Sequence, residues 1–415
     1  MTNLARRLST GDAVVIGLGS MIGAGVFAVF APAADVAGTA LLIGLAIAAV
    51  VAFCNATASA QLAAQYPESG GTYVYGRERL GEWAGFLAGW TFVIGKTASC
   101  AAMALTAVTY LVPDAAARPV AVMAVVTLTV VNCFGITRTA TLTRVIVTVV
   151  LAVLVLVVVA GLLAGPLPHP AHPTHDVGAY AVLQSAGLLF FAFAGYARIA
   201  TLGEEVRDPA RAIPRAIVVA LGMTLVVYTV IAVTALWVLG PDALARSSAP
   251  LVDVATAGGA DALAPIVRVG AGLAALGALL ALIAGVGRTT LAMARTGDLP
   301  PVLAAVNPRH QVPHRAEITV AVVVCVLVVT VDLRAAIGFS SFGVLLYYLV
   351  ANLAAFTQQQ PNRRYPRVLQ VIGAAGCVLL VATLPTSAIV AGSIVVAVGV
   401  GWRLATRSLR ARRTG

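Results

Sequence analysis

Charge is what this chain has least of. Only 10% of its 415 residues are Asp, Glu, Lys or Arg, and lysine occurs once, at Lys96. A soluble domain of this length needs far more charge to cover its surface, so a water-facing globular fold is excluded. Cysteine is scarce too. Cys54, Cys100, Cys133, Cys325 and Cys377 stand alone in separate apolar stretches without a CxxC pair, which excludes a disulfide framework or a thiolate metal site and leaves five small packing residues. No HExxH, GxSxG or Walker loop occurs, so none of these motifs supports a membrane enzyme, and no cofactor is expected.

What fills the chain instead is hydrocarbon: 60% hydrophobic residues and a mean hydropathy of +0.96. Runs long enough to cross a bilayer as helices repeat throughout. Twelve apolar segments are expected, near 11–32, 39–66, 83–111, 119–135, 142–165, 178–202, 212–239, 262–294, 316–331, 335–357, 367–383 and 386–405. The fold class is an all-α integral membrane protein with 12 transmembrane helices. The connections read as short loops except 240–261 on one side and 66–82 and 295–315 on the other, with no second soluble domain.

Arginine orients the bundle. With the N-terminus inside, 21 of the 27 basic residues fall in cytoplasmic pieces, against four outside (Arg118, Arg246, Arg268, Arg334) and two within spans (Lys96, Arg198). That bias places both termini in the cytoplasm, including a basic tail at 406–415. The net charge of +11 is then a topological signal rather than a nucleic-acid footprint, because the arginines are scattered and lack interleaved aromatics. The lipid bilayer is the expected partner, and the plasma membrane the expected location. Residues 1–10 lead straight into the first span and show no convincing cleavage site for a signal peptide.

Two segments look broken. Gly19, Gly23 and Gly25 interrupt the first, within residues 17–25, and the sixth carries Phe193-Ala194-Gly195-Tyr196. Each glycine costs a helix about 1 kcal/mol relative to alanine. Peptide groups exposed in this way are tolerated in lipid only where protein or a ligand satisfies them, and paired broken helices are the best sequence pointer to a transporter binding site. Lys96 falls about 20 Å along the third segment at 1.5 Å per residue, too deep to snorkel easily. It reads either as a proton carrier or as a structural ammonium bonded to carbonyls of a broken helix. All sixteen acidic residues map to loops or span ends, which leaves the midplane without a carboxylate and argues against arginine, lysine or polyamines as ligands. Neutral ligands fit best and anionic ones next.

Four stretches carry a resemblance: Gly-Ser-Met-Ile-Gly-Ala-Gly-Val-Phe (19–27), Pro-Glu-Ser-Gly-Gly-Thr-Tyr-Val-Tyr (67–75), Gly-Glu-Glu-Val-Arg-Asp-Pro-Ala-Arg-Ala-Ile-Pro-Arg-Ala-Ile (203–217), and Ala-Met-Ala-Arg-Thr-Gly-Asp-Leu-Pro (292–300) followed by 307–313. In order and spacing they resemble the motifs of the amino acid–polyamine–organocation (APC) superfamily of permeases. The resemblance implies a five-plus-five inverted repeat, 1–165 and 178–357, with broken first and sixth helices and two extra helices at 367–405. It also implies an amino acid held between the breaks. Ser20, Met21, Ile22, Gly23, Ala24, Gly25, Phe190, Phe193, Ala194, Gly195 and Tyr196 would bind it: a helix restarting near Gly23 to Gly25 would offer N–H groups to its carboxylate, freed carbonyls around Phe190 to Gly195 would meet its ammonium, and Met21, Phe190, Phe193 and Tyr196 would shape the side-chain pocket.

The chain departs from the family pattern at three places. Ala197, followed by Arg198, stands where many relatives carry an acid; 271–288 lacks the Ser and Thr that sodium-coupled relatives use; and 142–165 lacks the lysine of some proton-coupled ones. Sodium coupling is therefore not expected, whereas protons, with Lys96 as candidate carrier, are. Arg198, Glu204 and Glu205 are candidates for a cytoplasmic gate, the two glutamates expected to pair with Arg207, Arg211 or Arg215. The histidines of 168–175 repeat every three residues, which spaces them about 9 Å apart in polyproline II, too far for one metal ion. The expected activity is secondary active transport of neutral amino acids; an obligate exchanger is the alternative within transport, and a sensor that binds without transporting is the alternative outside it.

Overall fold

A computed structural model describes residues 8–67, 70–135, 140–167, 177–200, 202 and 205–414. The histidine-bearing segment 168–175 and Glu204 lie outside the described residues. Everything described is helix or connection, apart from one isolated parallel bridge between Leu8 and Val206.

The first apolar segment becomes three helices: α1 (Thr10–Ile22), α2 (Gly25–Ala28) and α3 (Phe30–Ala37). A capping box starts α1, the Ser9 hydroxyl accepting from the Asp12 amide and the Asp12 carboxylate accepting from the Ser9 amide. Next come α4 (Leu41–Gln65), α5 (Thr72–Leu80), α6 (Glu82–Leu111), α7 (Asp114–Cys133) and α8 (Ala140–Ala164). The sixth segment gives α9 (Ala179–Phe193), one 3₁₀ turn over Ala194–Tyr196, and α10 (Ala197–Ala200). The rest is α11 (Pro209–Arg246), α12 (Pro250–Thr256), α13 (Ala264–Arg295), α14 (His314–Thr330), α15 (Leu333–Phe356), α16 (Arg367–Thr383) and α17 (Thr386–Thr414).

Ten stretches among the described residues are long and apolar enough to cross a membrane. The remaining two expected segments appear as α14 and α16, 17 residues each, about 25 Å at the helical rise and so slightly under the thickness of a hydrocarbon core. The connections are richer than the sequence suggests. The stretch 66–82 contains α5, and 240–261 is largely helical, because α11 continues to Arg246 through a kink at Gly240 (φ 70°, ψ 168°) and α12 follows. A positive φ suits glycine, and the following Pro241 also disfavours helical geometry at its predecessor.

Helices α6 and α15 pack against each other at the centre, with α1, α4, α9, α11 and α13 around them. The outer helices present apolar stripes to their surroundings: Val322, Val326 and Val329 on α14, and Val390, Ile394 and Val398 on α17, are each about half exposed. Stripes of that kind belong against lipid, not water. Small residues allow the inner helices to approach closely; a Cβ on Gly343 would lie 2.7 Å from the Thr91 carbonyl oxygen and one on Gly95 3.1 Å from the Ser340 oxygen.

Candidate functional site

Helix α1 leaves helical geometry at Gly23 (φ −25°, ψ −120°), while Gly19 remains inside it, and α9 loses its i→i+4 ladder at Ala194. The two interruptions touch through backbone. A Cβ on Gly195 would lie 2.3 Å from the Ser20 carbonyl oxygen and 2.6 Å from the Met21 nitrogen, so no other residue fits there without moving one chain off the other. Gly25 meets Ala192 in the same way, with 2.9 Å to its Cα.

Helix ends leave carbonyls without helical partners, and here side chains from other helices supply donors. The Tyr228 hydroxyl, from α11, lies 2.6 Å from the Met21 oxygen and 3.1 Å from the Ala192 oxygen, bridging both breaks. Lys96 Nζ, from α6, donates to the Ala194 oxygen at 3.0 Å, and the Tyr348 hydroxyl, from α15, reaches the same atom at 3.4 Å. The Ala194 carbonyl, expected to receive a ligand's ammonium, thus already holds a tethered one.

A cavity of about 390 Å³ opens beside these breaks. Its wall contains Ser20 from α1, Lys96 from α6, Ala194, Gly195 and Arg198 from the sixth segment, and a face of α13. That face repeats at helical spacing as Ala278, Ala281, Gly285, Thr289 and Ala292, small side chains that leave room, with Arg288 and Arg295 alongside. Met21, Ile22, Gly23, Ala24, Gly25, Phe190, Phe193 and Tyr196 sit behind the wall, all of them buried. Gly23 faces α13, where a Cβ would come 2.7 Å from that of Ala278. The aromatics pack on other rings: Phe193 on Tyr228 (5.1 Å between centroids), Phe190 on Tyr348 (5.9 Å) and Tyr196 stacked on Tyr348 (4.9 Å).

Glu205 corrects one expectation. Its carboxylate pairs with Arg288 of α13 at 3.8 Å rather than with Arg207, Arg211 or Arg215. The reason is backbone pairing: Leu8 donates to the Glu205 oxygen (3.0 Å) and the Arg207 amide donates to the Leu8 oxygen (2.9 Å), which fixes this stretch beside the start of the chain. Arg211 pairs with Asp208 instead, at 4.0 Å. Glu205 and Arg198 both line a smaller adjoining cavity of about 110 Å³. Both members of the Glu205–Arg288 pair are partly exposed, so the contact is worth under about 1 kcal/mol. Glu205→Gln should leave the melting temperature within about a degree or two of wild type; a drop of 10 °C on thermal unfolding would show the pair to be structural instead.

Two of the resemblance-bearing stretches meet at a separate cluster. Asp298 accepts from Tyr73 (2.8 Å), from Arg77 (3.2 Å) and from the buried Arg403 of α17. Arg403 lies over the rings of Trp83 and Phe86 at 4.9 and 4.6 Å. Burial pushes the Tyr73 phenol up to about 12, so it stays a proton donor to Asp298 at neutral pH.

Tyr228, Tyr348, Arg288 and Arg295 were not among the residues singled out from sequence. The α13 wall did carry a signal, the Ala/Gly stripe at helical spacing with arginines at one end; the tyrosines carried none, because each becomes a bridge only through the packing of distant helices.

Residues 8–406 match the family model described as Amino acid permease. Among relatives, an uncharacterized transporter of Mycobacterium tuberculosis is 59% identical over 99% of this chain and 94% of its own length. Vacuolar cationic amino acid transporter 4 of Arabidopsis thaliana is 29% identical over 83% of this chain and 62% of its own. The branched-chain amino acid permease BcaP of Bacillus subtilis is 26% identical over 89% and 84%. With its apolar helices and its matched length, the chain belongs to the amino acid permease family within the APC superfamily: a multi-pass membrane transporter and not an enzyme.

Proposed function

We propose that this protein is a secondary active transporter that moves amino acids across the plasma membrane by alternating access. The observation that carries the reading is the contact of Gly195 with the Ser20 and Met21 backbone, which joins two interrupted helices beside a cavity. In the proposed topology both termini are cytoplasmic, twelve helices cross, 1–165 and 178–357 form inverted halves, 367–405 adds two helices, and 406–415 is a basic tail. The cavity then opens near the cytoplasmic arginines, while the opposite side is held shut by Asp35–Arg334 (2.5 Å) and by Tyr110 donating to the Phe27 oxygen (3.0 Å). Opening outward requires breaking those contacts, as rocking of one bundle against the other would do. The finer site assignment runs from Ser20 to Gly25 and from Phe190 to Tyr196: residues at the wall touch the amino acid, and those behind it hold the breaks in shape.

Proton coupling belongs to the same reading, because among the described residues lining the large cavity Lys96 is the one group that readily releases a proton; the others with ionisable side chains are arginines, which stay charged. Sodium coupling has no such support, since α13 brings a single hydroxyl, Thr289, to the wall. The relatives' names cover both cationic and branched-chain amino acids; a cavity wall carrying Lys96, Arg198, Arg288 and Arg295 supports neutral or acidic side chains here rather than cationic ones.

Purified protein in liposomes, offered radiolabelled amino acids under pH or sodium gradients, tests this. Saturable uptake driven by an inward proton gradient and indifferent to sodium is expected. Lys96→Met should abolish the gradient dependence while preserving counterflow at saturating substrate. Uptake that appears only into preloaded vesicles would establish the exchanger instead, and failure of every amino acid in both uptake and counterflow would overturn the proposal.

A further inference from the structure

We infer that α4, α15 and α16 enclose a binding site for water inside the bundle, held by Asn55, Ser59, Asn352 and Gln370. The inference goes beyond the transport reading and does not depend on which solute the large cavity carries, since none of the four lines that cavity. Each is at most 2% exposed and carries a nitrogen or oxygen with no hydrogen-bond partner among the described residues. The three helices pack on one another. Asn55 and Ser59 share a face of α4 at i and i+4, and Gln370, Gly373 and Cys377 share one of α16 at i, i+3 and i+7.

Asn352 Nδ2 donates to the Asn55 Oδ1 at 2.6 Å and to the Tyr348 backbone oxygen at 2.9 Å. Those two bonds fix both amides, because turning either or both would set two nitrogens or two oxygens against each other. Asn55 Nδ2 and Asn352 Oδ1 are left over, one donor and one acceptor. A Cβ on Gly373 would come 2.5 Å from that Asn352 oxygen, so glycine there leaves it uncovered. Ser59 lies about 6 Å along α4 from Asn55, and Gln370 about 5 Å along α16 from Gly373, both toward the connection between α15 and α16. Neither end of the Gln370 amide is paired, and the Ser59 hydroxyl is unpaired as well. Gln61 closes that end by accepting from the Arg364 and Tyr365 amides, each at 3.2 Å.

Polar groups buried without partners cost more than a hydrogen bond returns, and native interiors contain few of them. The ligand has to accept and donate at once. Asn55 and Gln370 present N–H groups, which a cation cannot serve, and Asn352 and Gln370 present carbonyl oxygens, which an anion cannot. Water is the smallest molecule that does both, and a buried water makes about three such bonds. It fastens the polar face of α16 to α4 and α15, while Val371 and Val378 on the outer side of α16 stay about half exposed.

The test pairs a map with a substitution. A cryo-electron-microscopy or crystal map of the full-length protein, at a resolution that shows ordered water, should carry density bonded to Asn55 Nδ2 and Asn352 Oδ1 and beside the Gln370 amide. Gln370→Met keeps side-chain length and helix propensity while removing the amide. With water bound, this variant loses hydrogen bonds and should melt about 2 °C or more below wild type in thermal unfolding of the purified protein. In a dry site it would instead remove an unpaired amide from an apolar interior and melt above wild type. Ordered water elsewhere in the interior with none between the two asparagines overturns the inference, and so does melting of Gln370→Met at or above wild type. The map is taken on the unsubstituted protein, so it decides the matter even if the variant does not fold. Neither readout involves a transported solute, so failure of amino acid uptake in liposomes would leave this site standing.

Discussion

Replacing Gly195 with alanine should abolish transport and lower thermal stability, while Gly222→Ala leaves both unchanged. The added methyl carbon at position 195 would sit 2.3 Å from the Ser20 oxygen and 2.4 Å from the carbonyl carbon beside it. These are backbone atoms, so relief cannot come from a rotamer change. Either α1 or the 3₁₀ turn has to shift, and overpacking of this kind costs about 1–3 kcal/mol, with the upper end expected for backbone against backbone. The functional loss should exceed the structural one, because the shift falls on the Ser20, Ala194 and Gly195 portion of the cavity wall and on the Lys96–Ala194 hydrogen bond. Gly222 is the control: it lies exposed on α11 with nothing within 4 Å of its added Cβ, and alanine is the better helix former. Uptake into liposomes and thermal unfolding of the purified variants measure both effects. Wild-type uptake by Gly195→Ala would mean that the two breaks do not need to touch.

How far the sequence reaches is clear from the same residues. The break near Gly23 and Gly195 was legible because glycine in a lipid-spanning helix is a local conflict visible without any partner. The site around it was legible only in part. Phe190, Phe193 and Tyr196 carry the right chemistry for a pocket, yet which face of a short helix turns inward depends on its neighbours, and here Tyr228 and Tyr348 draw those rings away from the cavity. Arg288 and Arg295 read as cytoplasmic charges under the topology rule, which is silent on whether such a charge also faces a cavity. Glu205 was expected to find its partner a few residues along the chain. Instead it crosses to α13, because Leu8 pairs with the adjoining backbone and so fixes where the carboxylate can reach. Local rules locate the elements and the strained residues; which distant side chains satisfy them is settled by tertiary packing.

Asp298→Ala should be the most destabilising single change outside the helix breaks. Asp298 is 7% exposed and its principal partner, Arg403, 3%. Removing the carboxylate leaves a guanidinium buried against Trp83 and Phe86 with only the exposed Glu82 carboxylate, at 3.6 Å, as counter-charge. Breaking a buried pair from one side costs about 3–5 kcal/mol, because the remaining ion is too enclosed to recover its hydration; the Glu82 contacts that Arg403 keeps place this change at the lower end of that range. Arg77 and Tyr73 lose an acceptor in the same step. Asp298→Asn should cost less, since the amide oxygen can still accept from Tyr73. Asp298→Ala combined with Arg403→Met should regain part of the loss by removing the under-compensated buried charge, as buried pairs replaced by apolar groups often do. The contrast is the neighbouring Arg407–Glu82 pair, whose side chains are both exposed: Arg407→Gln should cost under about 1 kcal/mol and its effect should fade in high salt, while the Asp298 effect persists. Thermal unfolding of the four variants in low and high salt separates these cases. Equal melting of Asp298→Ala and wild type would show that α17 is not fastened to α6 and α13 through this cluster, and that its basic end is free to move in the transport cycle.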